Sequence, residues 1–429
     1  MLTALGISLL VLLSIALARG RVLPMILFAL LPLLAALASG QDVSSTASHI
    51  SAGMARTVPV AMMFMFAITL AGVMRDAGVF QPLLRCLLRL TAEHPVRLAN
   101  VTVLVGLVAH LDGAGPTTFL VAIPALMPLY DRLGMRREVL VMLLALSAGL
   151  MNLLPWGGPL ARASAVSAVA VVDLWRQLLP LQMLGVPLLL AIAMHVGAKE
   201  QRRLASASTL PRTVPRCADV GQPIPAGDQR QRCNTGLCLA TLTILAISPF
   251  QPAPVFMVAL ALALLLNHRG SEAQARALAK HAPQALAMAM VVIAAGSVLG
   301  VLEGTGMLRA VAASATHVLP DPLIQQLALL VALFAVPLHL LLSTDAYYFA
   351  LLPLVMETAA LHSLDPASTV RAMALTNTVG GYVGPFSPAV WLALGMTGVP
   401  LRTHLLQTLP WAWGVSITLL LAATLMGLV

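Results

Sequence analysis

The stretch HLDGAGPTTFLVAIPALMP, residues 110–128, contains the short polar segment DGAGPTT, which separates two apolar runs of the chain. The run before this segment covers 97–111, and the run after it covers 118–130. Each run is too short to span a bilayer comfortably, because a transmembrane helix needs about 20 apolar residues. Together they predict a re-entrant hairpin over 97–131, with both ends on one side of a membrane and the tip DGAGPTT at membrane depth.

The composition of the whole chain also indicates a membrane protein. Of its 429 residues, 59% are hydrophobic and 10% are charged, whereas a soluble domain carries about 25% charged residues. The first apolar run, 2–18, has neither a basic start nor a small-residue cleavage site, so we expect a retained helix. The sequence predicts an all-α polytopic protein surrounded by lipid, in the inner (plasma) membrane of a bacterium.

The formal charge of +9 has two interpretations. A basic balance can indicate nucleic acid, but in a membrane protein it more often reflects basic cytoplasmic loops. We therefore predict no nucleic-acid partner. No HExxH, Walker or GxSxG motif occurs, so the sequence gives no support for an enzyme.

The tip segment recurs in the second half of the chain as HLLLSTDAYYFALLPLVME, residues 339–357. Two further pairs of similar segments are 71–85 with 299–313 and 177–185 with 407–414. The two members of each pair lie roughly 230 residues apart, which indicates an internal duplication.

Each repeat is predicted to contain three helices, a re-entrant hairpin, a broken helix and a final helix. The third helix of each repeat is expected at 57–74 and at 285–302. The predicted domains are a first repeat at 1–198 with hairpin 97–131 and broken helix 139–172, a cytoplasmic linker at 199–234, and a second repeat at 235–429 with hairpin 323–362 and broken helix 368–397.

The basic residues predict opposite orientations for the two repeats. With the linker in the cytoplasm, most of the 25 Lys and Arg residues fall inside, as the positive-inside rule requires. Arg56, Arg176, Arg309 and Arg371 fall outside, and Arg162 falls within the membrane. A repeat of unchanged orientation would place the corresponding arms of both halves, 75–95 and 303–321, on the cytoplasmic side, and both arms would then be basic. Inverted repeats with broken helices are typical of secondary transporters with a midplane site.

The hairpin tips and the broken helices provide the candidate binding residues. At each of these four breaks, a second helical piece presents its N-terminus to the midplane, where free N–H groups and the helix dipole favour an anion. Ser, Thr and Asp are also common N-caps, so helix capping is the alternative interpretation. The candidate substrate-binding residues are Asp112, Gly113, Gly115, Thr117, Thr118, Asn152, Gly157, Gly158, Arg162, Ser343, Thr344, Asp345, Tyr347, Asn377 and Ser387.

Two tip carboxylates, Asp112 and Asp345, suggest that a cation accompanies the anion. A carboxylate at membrane depth is costly enough to indicate function, and hard divalent cations prefer oxygen ligands. Both are candidate metal ligands through a metal–substrate complex, and no resident cofactor is predicted. The candidates for proton coupling are Asp112, Asp345, Glu357, His110 and His339, although a buried histidine is more often a hydrogen-bonded core residue.

Arg162 lies one turn beyond the break PWGGP, residues 155–159. Arginine is rare inside a membrane, and its planar fork matches a carboxylate. The sequence predicts a substrate contact here, with an internal ion pair or a backbone contact as the alternative.

Three segments resemble motifs of the citrate–metal:proton symporter family. They are LDGAGPTT (111–118), MNLLPWGGPLARAS (151–164) and STDAYYFALLP (343–353). That family belongs to the ion transporter superfamily, together with the divalent anion:sodium symporters. The resemblance implies a homodimer with scaffold and transport domains, an elevator mechanism, and proton-coupled uptake of citrate complexed with a divalent metal.

The chain departs from this family's usual residues at Thr344, where an Asn is common, and in GYVGPFSPAVW, residues 381–391. A different carboxylate therefore stays open as the substrate. Alternative functions are a cation:proton antiporter or a sodium-coupled dicarboxylate transporter of the same superfamily, and a channel or non-transporting receptor.

Overall fold

The structure is a computed structural model that describes residues 1–79, 81–89, 94–113, 115–206, 229–247, 250–318 and 320–429. These residues form helices and connecting turns, with no strand among them. The helices of the first half are α1 Leu2–Arg19, α2 Pro24–Ala38, α3 Val43–Asp76, α4 Gln81–Arg89, α5 Pro95–Ala109, α6 Gly115–Leu133, α7 Arg137–Met151, α8 Gly158–Ser167 and α9 Val171–Ser206.

The second half repeats this order of elements, with a hairpin divided into more pieces. Its helices are α10 Gln229–Ile247, α11 Pro252–Asn267, α12 Ser271–Gly304, α13 Met307–Val318, α14 Asp321–Gln325, α15 Leu327–Leu333, α16 Ala335–Leu338, α17 Thr344–Ala346, α18 Leu352–Leu361, α19 Pro366–Gly380, α20 Pro388–Thr397 and α21 Leu401–Leu425. A π-helical turn, Tyr347–Leu351, joins α17 to α18. Five helical segments of the described chain are long and apolar enough to span a membrane: α3, α5 with the turn that follows it, α9, α12 and α21.

The third helix of each half, α3 and α12, is 34 residues long and extends well beyond the predicted 57–74 and 285–302. The start of α3 is set by Asp42, whose carboxylate accepts hydrogen bonds from the N–H groups of Ser44 and Ser45. A helix of this length measures about 50 Å, more than the roughly 30 Å hydrocarbon core. Both helices must therefore tilt or extend beyond the bilayer.

The helices α3 and α12 pack against each other in antiparallel orientation. Near the start of α3, a side chain on Gly53 would overlap the carbonyl of Gly296, close to the end of α12. At the other end, Lys280 donates to Asp76 over 2.6 Å. Equivalent helices of an inverted repeat must be antiparallel, which supports the predicted symmetry; the inversion itself stays a prediction.

The helices fall into two packed groups. The long-helix group, α1–α3 and α10–α12, is built around the α3–α12 contact. The hairpin group comprises α5–α9 and α14–α21, in which α6 packs on α20 and α18 packs on α8. Each hairpin thus returns against the broken helix of the other half, so the two halves are interlocked around one centre.

Several bounds differ from those expected. Hairpin one consists of α5, a 3₁₀ turn and α6, and the first broken helix consists of α7 and α8. Helix α9 runs to Ser206, past the predicted start of the linker at 199, and an ion pair between Arg203 and Glu200, one turn apart, supports this extension. The end of the predicted linker, 229–234, lies in α10, and residues 207–228 lie outside the described residues.

Candidate functional site

One cavity of about 400 Å³ lies where the two hairpin tips and the two broken helices meet. This size falls within the range of small-molecule sites. Phe64, near the middle of α3, and Met288, near the middle of α12, contribute to its wall from the long-helix group. The cavity therefore lies at mid-height of the membrane-spanning helices.

Four helix starts line this cavity. They are contributed by Gly115 and Pro116 of α6, Gly158 and Pro159 of α8, Ser343 and Thr344 at α17, and Ser387 and Pro388 at α20. Proline is accommodated in a first turn because its missing N–H would have no helical partner there. Each start carries about half a positive charge, so the part of the wall where the starts converge favours an anion.

Arg162 and Asp345 are the charged side chains on the cavity wall among the described residues. The Nε of Arg162 lies 2.6 Å from Oδ1 of Asp345, and the two side chains are 11% and 17% exposed. The pair is neutral overall, so the field in the cavity comes from the helix ends on its wall. The four starts are positive, whereas the ends of α7 at Asn152 and of α19 at Gly381 bring negative carbonyl groups. If a ligand separates the pair, the guanidinium can hold a carboxylate and the aspartate can face a cation.

Asn152 ends the first piece of the first broken helix and faces the cavity. Its Oδ1 accepts hydrogen bonds from Nε2 of His110 at 3.1 Å and from the hydroxyl of Tyr382 at 3.5 Å. The Tyr382 ring lies where a side chain on Gly115 would otherwise be. Glycine at 115 is therefore required by close packing between hairpin one and the second broken helix.

Asp112 lies off the wall of this cavity. Its Oδ2 accepts from Nη1 of Arg75 at 2.9 Å and from the hydroxyl of Thr117. Asp112 and Thr117 line a separate cavity of about 90 Å³ together with Arg75. The chain reverses after Asp112 through Gly113, whose φ is +70°, under the ring of Trp156. This left-handed turn brings Gly113 to the main cavity, whereas Asp112 faces α3.

The remaining candidates lie behind the wall. Thr118 is buried and bonds Nδ1 of His110 at 2.7 Å, and the Tyr347 hydroxyl donates to a backbone carbonyl. Asn377 is buried, and its side-chain amide has no hydrogen-bond partner among the described residues. Gly157 caps α8, and Glu357 is half-buried on α18.

The two candidate histidines have similar surroundings. His110 bonds Asn152 of its own broken helix, and Nε2 of His339 donates to the Asn377 carbonyl at 2.9 Å in the second repeat. Each joins a hairpin to the broken helix of the same repeat. These contacts agree with the interpretation of both as hydrogen-bonded core residues.

Sequence reasoning missed several residues of the wall, among them Trp156, Tyr382 and Gln284. Trp156 donates from Nε1 to the Leu111 carbonyl at 2.9 Å and so joins the first broken helix to the hairpin tip. Trp156 and Tyr382 could have been found, because they stand beside the glycines of the predicted breaks. Gln284 lies within a long apolar helix, and no local signal marks it.

The described residues contain no cluster of three or more His, Cys, Asp or Glu side chains suited to a metal ion. Among the described residues that line the main cavity, Asp345 is the one with a carboxylate side chain. A cation in this cavity would meet one carboxylate, that of Asp345, together with neutral oxygens such as those of Asn152 and Ser343 and the oxygens of the ligand that accompanies it.

Two helical hairpins and two broken helices around one cavity, packed beside helices long and apolar enough to span a membrane, indicate an integral membrane transporter. The comparison of sequences identifies the family. The chain matches the citrate transporter family over residues 9–380 and belongs to it. It is therefore a transporter of a bacterial membrane and not an enzyme.

Individual relatives agree with this assignment. The chain is 33% identical to a citrate transporter of Bacillus subtilis (strain 168), covering 100% of both chains. It is 28% identical to a Mg(2+)/citrate complex secondary transporter of the same organism, over 93% of this chain and 92% of the relative. Among solved structures, it is similar to the YdaH transporter of Alcanivorax borkumensis, with a TM-score of 0.69 and 17% identity, covering 94% of this chain and 98% of that one. This last similarity concerns the fold alone.

Proposed function

We propose that this protein is a secondary transporter of citrate, or of a related carboxylate, that carries its substrate as a complex with a divalent cation and is driven by protons. The observation that carries the proposal is the convergence of four helix starts on a cavity whose charged side chains are Arg162 and Asp345. Its relationship to a Mg(2+)/citrate complex transporter supports the choice of substrate.

The charges of ligand and cavity match. Fully ionised citrate carries three negative charges, and a bound divalent cation leaves one. In the proposed complex, the cation faces the Asp345 carboxylate, because hard cations prefer oxygen ligands. The outer carboxylates of the substrate face the helix starts and Arg162, whose fork suits bidentate binding. Arg162 must then turn from Asp345 towards the substrate.

Asp345 is also our first candidate for proton coupling, because a proton and a cation can compete for the same carboxylate on the wall. Glu357, His110, His339 and Asp112 lie off the wall and are secondary candidates. We further propose that the hairpin group moves against the long-helix group as an elevator, that the protein is a homodimer, and that its repeats are inverted in the inner membrane with the linker in the cytoplasm.

The alternatives are a cation:proton antiporter and a sodium-coupled dicarboxylate transporter. An antiporter for cations would have little use for four helix starts that favour an anion. A sodium-coupled carrier differs from our proposal in its driving ion and in its independence of divalent metal.

Uptake of labelled citrate into proteoliposomes tests the proposal. We expect uptake to require Mg²⁺ or another divalent cation and an inwardly directed proton gradient. Uptake driven by a sodium gradient without divalent cation would contradict the proposal, as would sodium–proton exchange without citrate. A thermal-shift series of carboxylates with and without Mg²⁺, Ca²⁺ or Zn²⁺ would identify the preferred complex.

A further inference from the structure

The ion pairs between described residues, with one exception, each lie within one of the two helix groups. The pairs within the long-helix group are Arg56–Glu303, Lys280–Asp76, His281–Asp76 and Arg276–Glu272. The pairs within the hairpin group are Arg136–Glu200, Arg203–Glu200, Arg137–Asp131, Arg162–Asp345, Arg176–Asp173 and Arg371–Asp365. Among the pairs formed between described residues, Arg75–Asp112 is the one that joins the groups.

The Arg75–Asp112 contact is well buried on its acidic side. Arg75 is in the last turn of α3, and Asp112 ends the outgoing piece of hairpin one. Asp112 is 5% exposed and Arg75 is 30% exposed. The hydroxyl of Thr117 donates to the same oxygen of Asp112. A buried carboxylate with a charged partner and a hydroxyl is costly to separate from them, so this contact holds the tip of hairpin one against α3 in the conformation that the structure shows.

The cavity beside this contact shares no lining residue with the substrate cavity. Arg75 therefore holds the hairpin without touching the substrate. Asp112 and Gly115 are three residues apart on the two sides of the tip, so the contact also positions the start of α6 on the substrate cavity.

We propose that Arg75 is a positioning residue for transport: through Asp112 it latches the tip of hairpin one to the long-helix group, and this latch opens and closes once in every cycle. The proposal rests on the proposed function in one respect, the movement of the hairpin group against the long-helix group. It adds the contact that this movement must break. Another polar contact between the groups, from Arg176 to the carbonyl of Leu245, involves backbone and can be replaced by water.

Cross-linking tests the latch directly. Cysteines replace Arg75 and Asp112 in a background without Cys86, Cys217, Cys233 and Cys238. A short bis-maleimide spans the gap, because Arg and Asp side chains together are longer than two cysteines. The matched control carries cysteines in place of Arg56 and Glu303, a pair that lies within the long-helix group.

We expect cross-linking at 75 and 112 to reduce citrate uptake at least tenfold relative to the same variant before cross-linking, with binding of the Mg²⁺–citrate complex retained. Cross-linking of the control pair should change uptake less than twofold. Undiminished uptake by the protein cross-linked at 75 and 112 would overturn the latch.

A second measurement needs no substrate. It therefore tests the role of Arg75 even if the protein does not carry citrate. Spin labels at Asp131, at the base of hairpin one, and at Arg276, on α12, report the distance between the two groups. We expect Arg75→Gln to add or enlarge a second population in the distance distribution, and Arg75→Lys to restore the original one. Arg56→Gln should leave it unchanged. Identical distributions for Arg75→Gln and the unsubstituted protein would contradict the proposal. If Arg75→Gln shifts the distribution but the unsubstituted protein takes up no citrate, only the proposed substrate is contradicted.

Discussion

The tips of the two hairpins each carry one aspartate, yet the two side chains lie in different environments. Asp345 stands in the first turn of the returning piece of hairpin two and pairs with Arg162 on the wall of the main cavity. Asp112 ends the outgoing piece of hairpin one and pairs with Arg75 of α3 in a separate cavity. His110 and His339 occupy matching repeat positions, but the two aspartates are on opposite sides of their respective turns. The side of the turn decides whether a tip carboxylate faces the ligand or the neighbouring helix group.

The two aspartates and their arginine partners are therefore expected to have different roles. Asp345 and Arg162 are placed to contact a ligand, whereas Asp112 and Arg75 are placed to hold a hairpin. Substitutions in the first pair should change affinity, and substitutions in the second pair should change the rate of transport.

The largest expected effect concerns the bases of the two hairpins. If the repeats are inverted, single cysteines in place of Asp131 and Asp365 should react with an impermeant maleimide from opposite faces of the membrane. Asp131 should be labelled from the cytoplasm and Asp365 from outside, in an all-or-none manner. Both side chains are exposed, and both variants should be made without the native cysteines. Labelling of both from one face would contradict the inverted repeat.

The second effect separates the two tip aspartates. Asp345→Asn should reduce metal-stimulated citrate uptake by about 100-fold, which corresponds to about 2.7 kcal/mol, because it removes the carboxylate that faces the cation. Asp112→Asn should leave the KM for the complex within about threefold, or about 0.7 kcal/mol, and change the maximal rate instead. Initial rates over a range of Mg²⁺–citrate concentrations measure both quantities. A KM for Asp112→Asn that rises as far as that for Asp345→Asn would mean that both aspartates contact the ligand.

The third effect compares the two arginines. Arg162→Lys should weaken substrate affinity by roughly 1–3 kcal/mol, because an ammonium group cannot reproduce the bidentate fork. Arg75→Lys keeps a charge beside Asp112 and should leave affinity unchanged. Titration of the purified proteins with Mg²⁺–citrate in a thermal-shift assay measures the difference. Equal affinity of Arg162→Lys and the unsubstituted protein, with the fold intact, would give Arg162 a structural role.

The smallest effect concerns the anchoring of the hairpin bases. Glu200 of α9 is fully buried and binds both Arg136 and Arg203, whereas Asp365 is 57% exposed and pairs with Arg371. Glu200→Gln should destabilise the protein by about 1–3 kcal/mol, since it weakens several charge-assisted hydrogen bonds. The Asp365→Asn variant should lose less than about 1 kcal/mol. Melting temperatures in detergent provide the measurement, and equal values for the two variants would contradict the difference in anchoring.

The main elements of the fold could be predicted from the sequence because their signals are local. The polar tips, the glycine–proline breaks and the apolar runs are each contained in one short segment. Several predicted residues, including Asn152, Arg162 and Asp345, stand on the cavity wall, since they directly adjoin those breaks. The starts of α3 and α12 were predicted too late in the chain, because their first turns are polar and resemble loops.

Residues outside the breaks could not be assigned to the cavity in the same way. Gln284 reaches its wall from the middle of α12 only because that helix packs beside the breaks of other elements. Asp112 was expected to face the ligand, and the turn at Gly113 directs it to Arg75 instead.

By itself, the sequence determined that this chain is a helical membrane protein, and it predicted two similar halves with four breaks at membrane depth, because hydropathy and backbone chemistry act over a few residues. Only the tertiary structure decided which charges meet. Arg75 and Asp112 lie 37 positions apart, and Arg162 and Asp345 lie 183 apart. Such partners are set by the packing of whole helices, and no local pattern of residues encodes them.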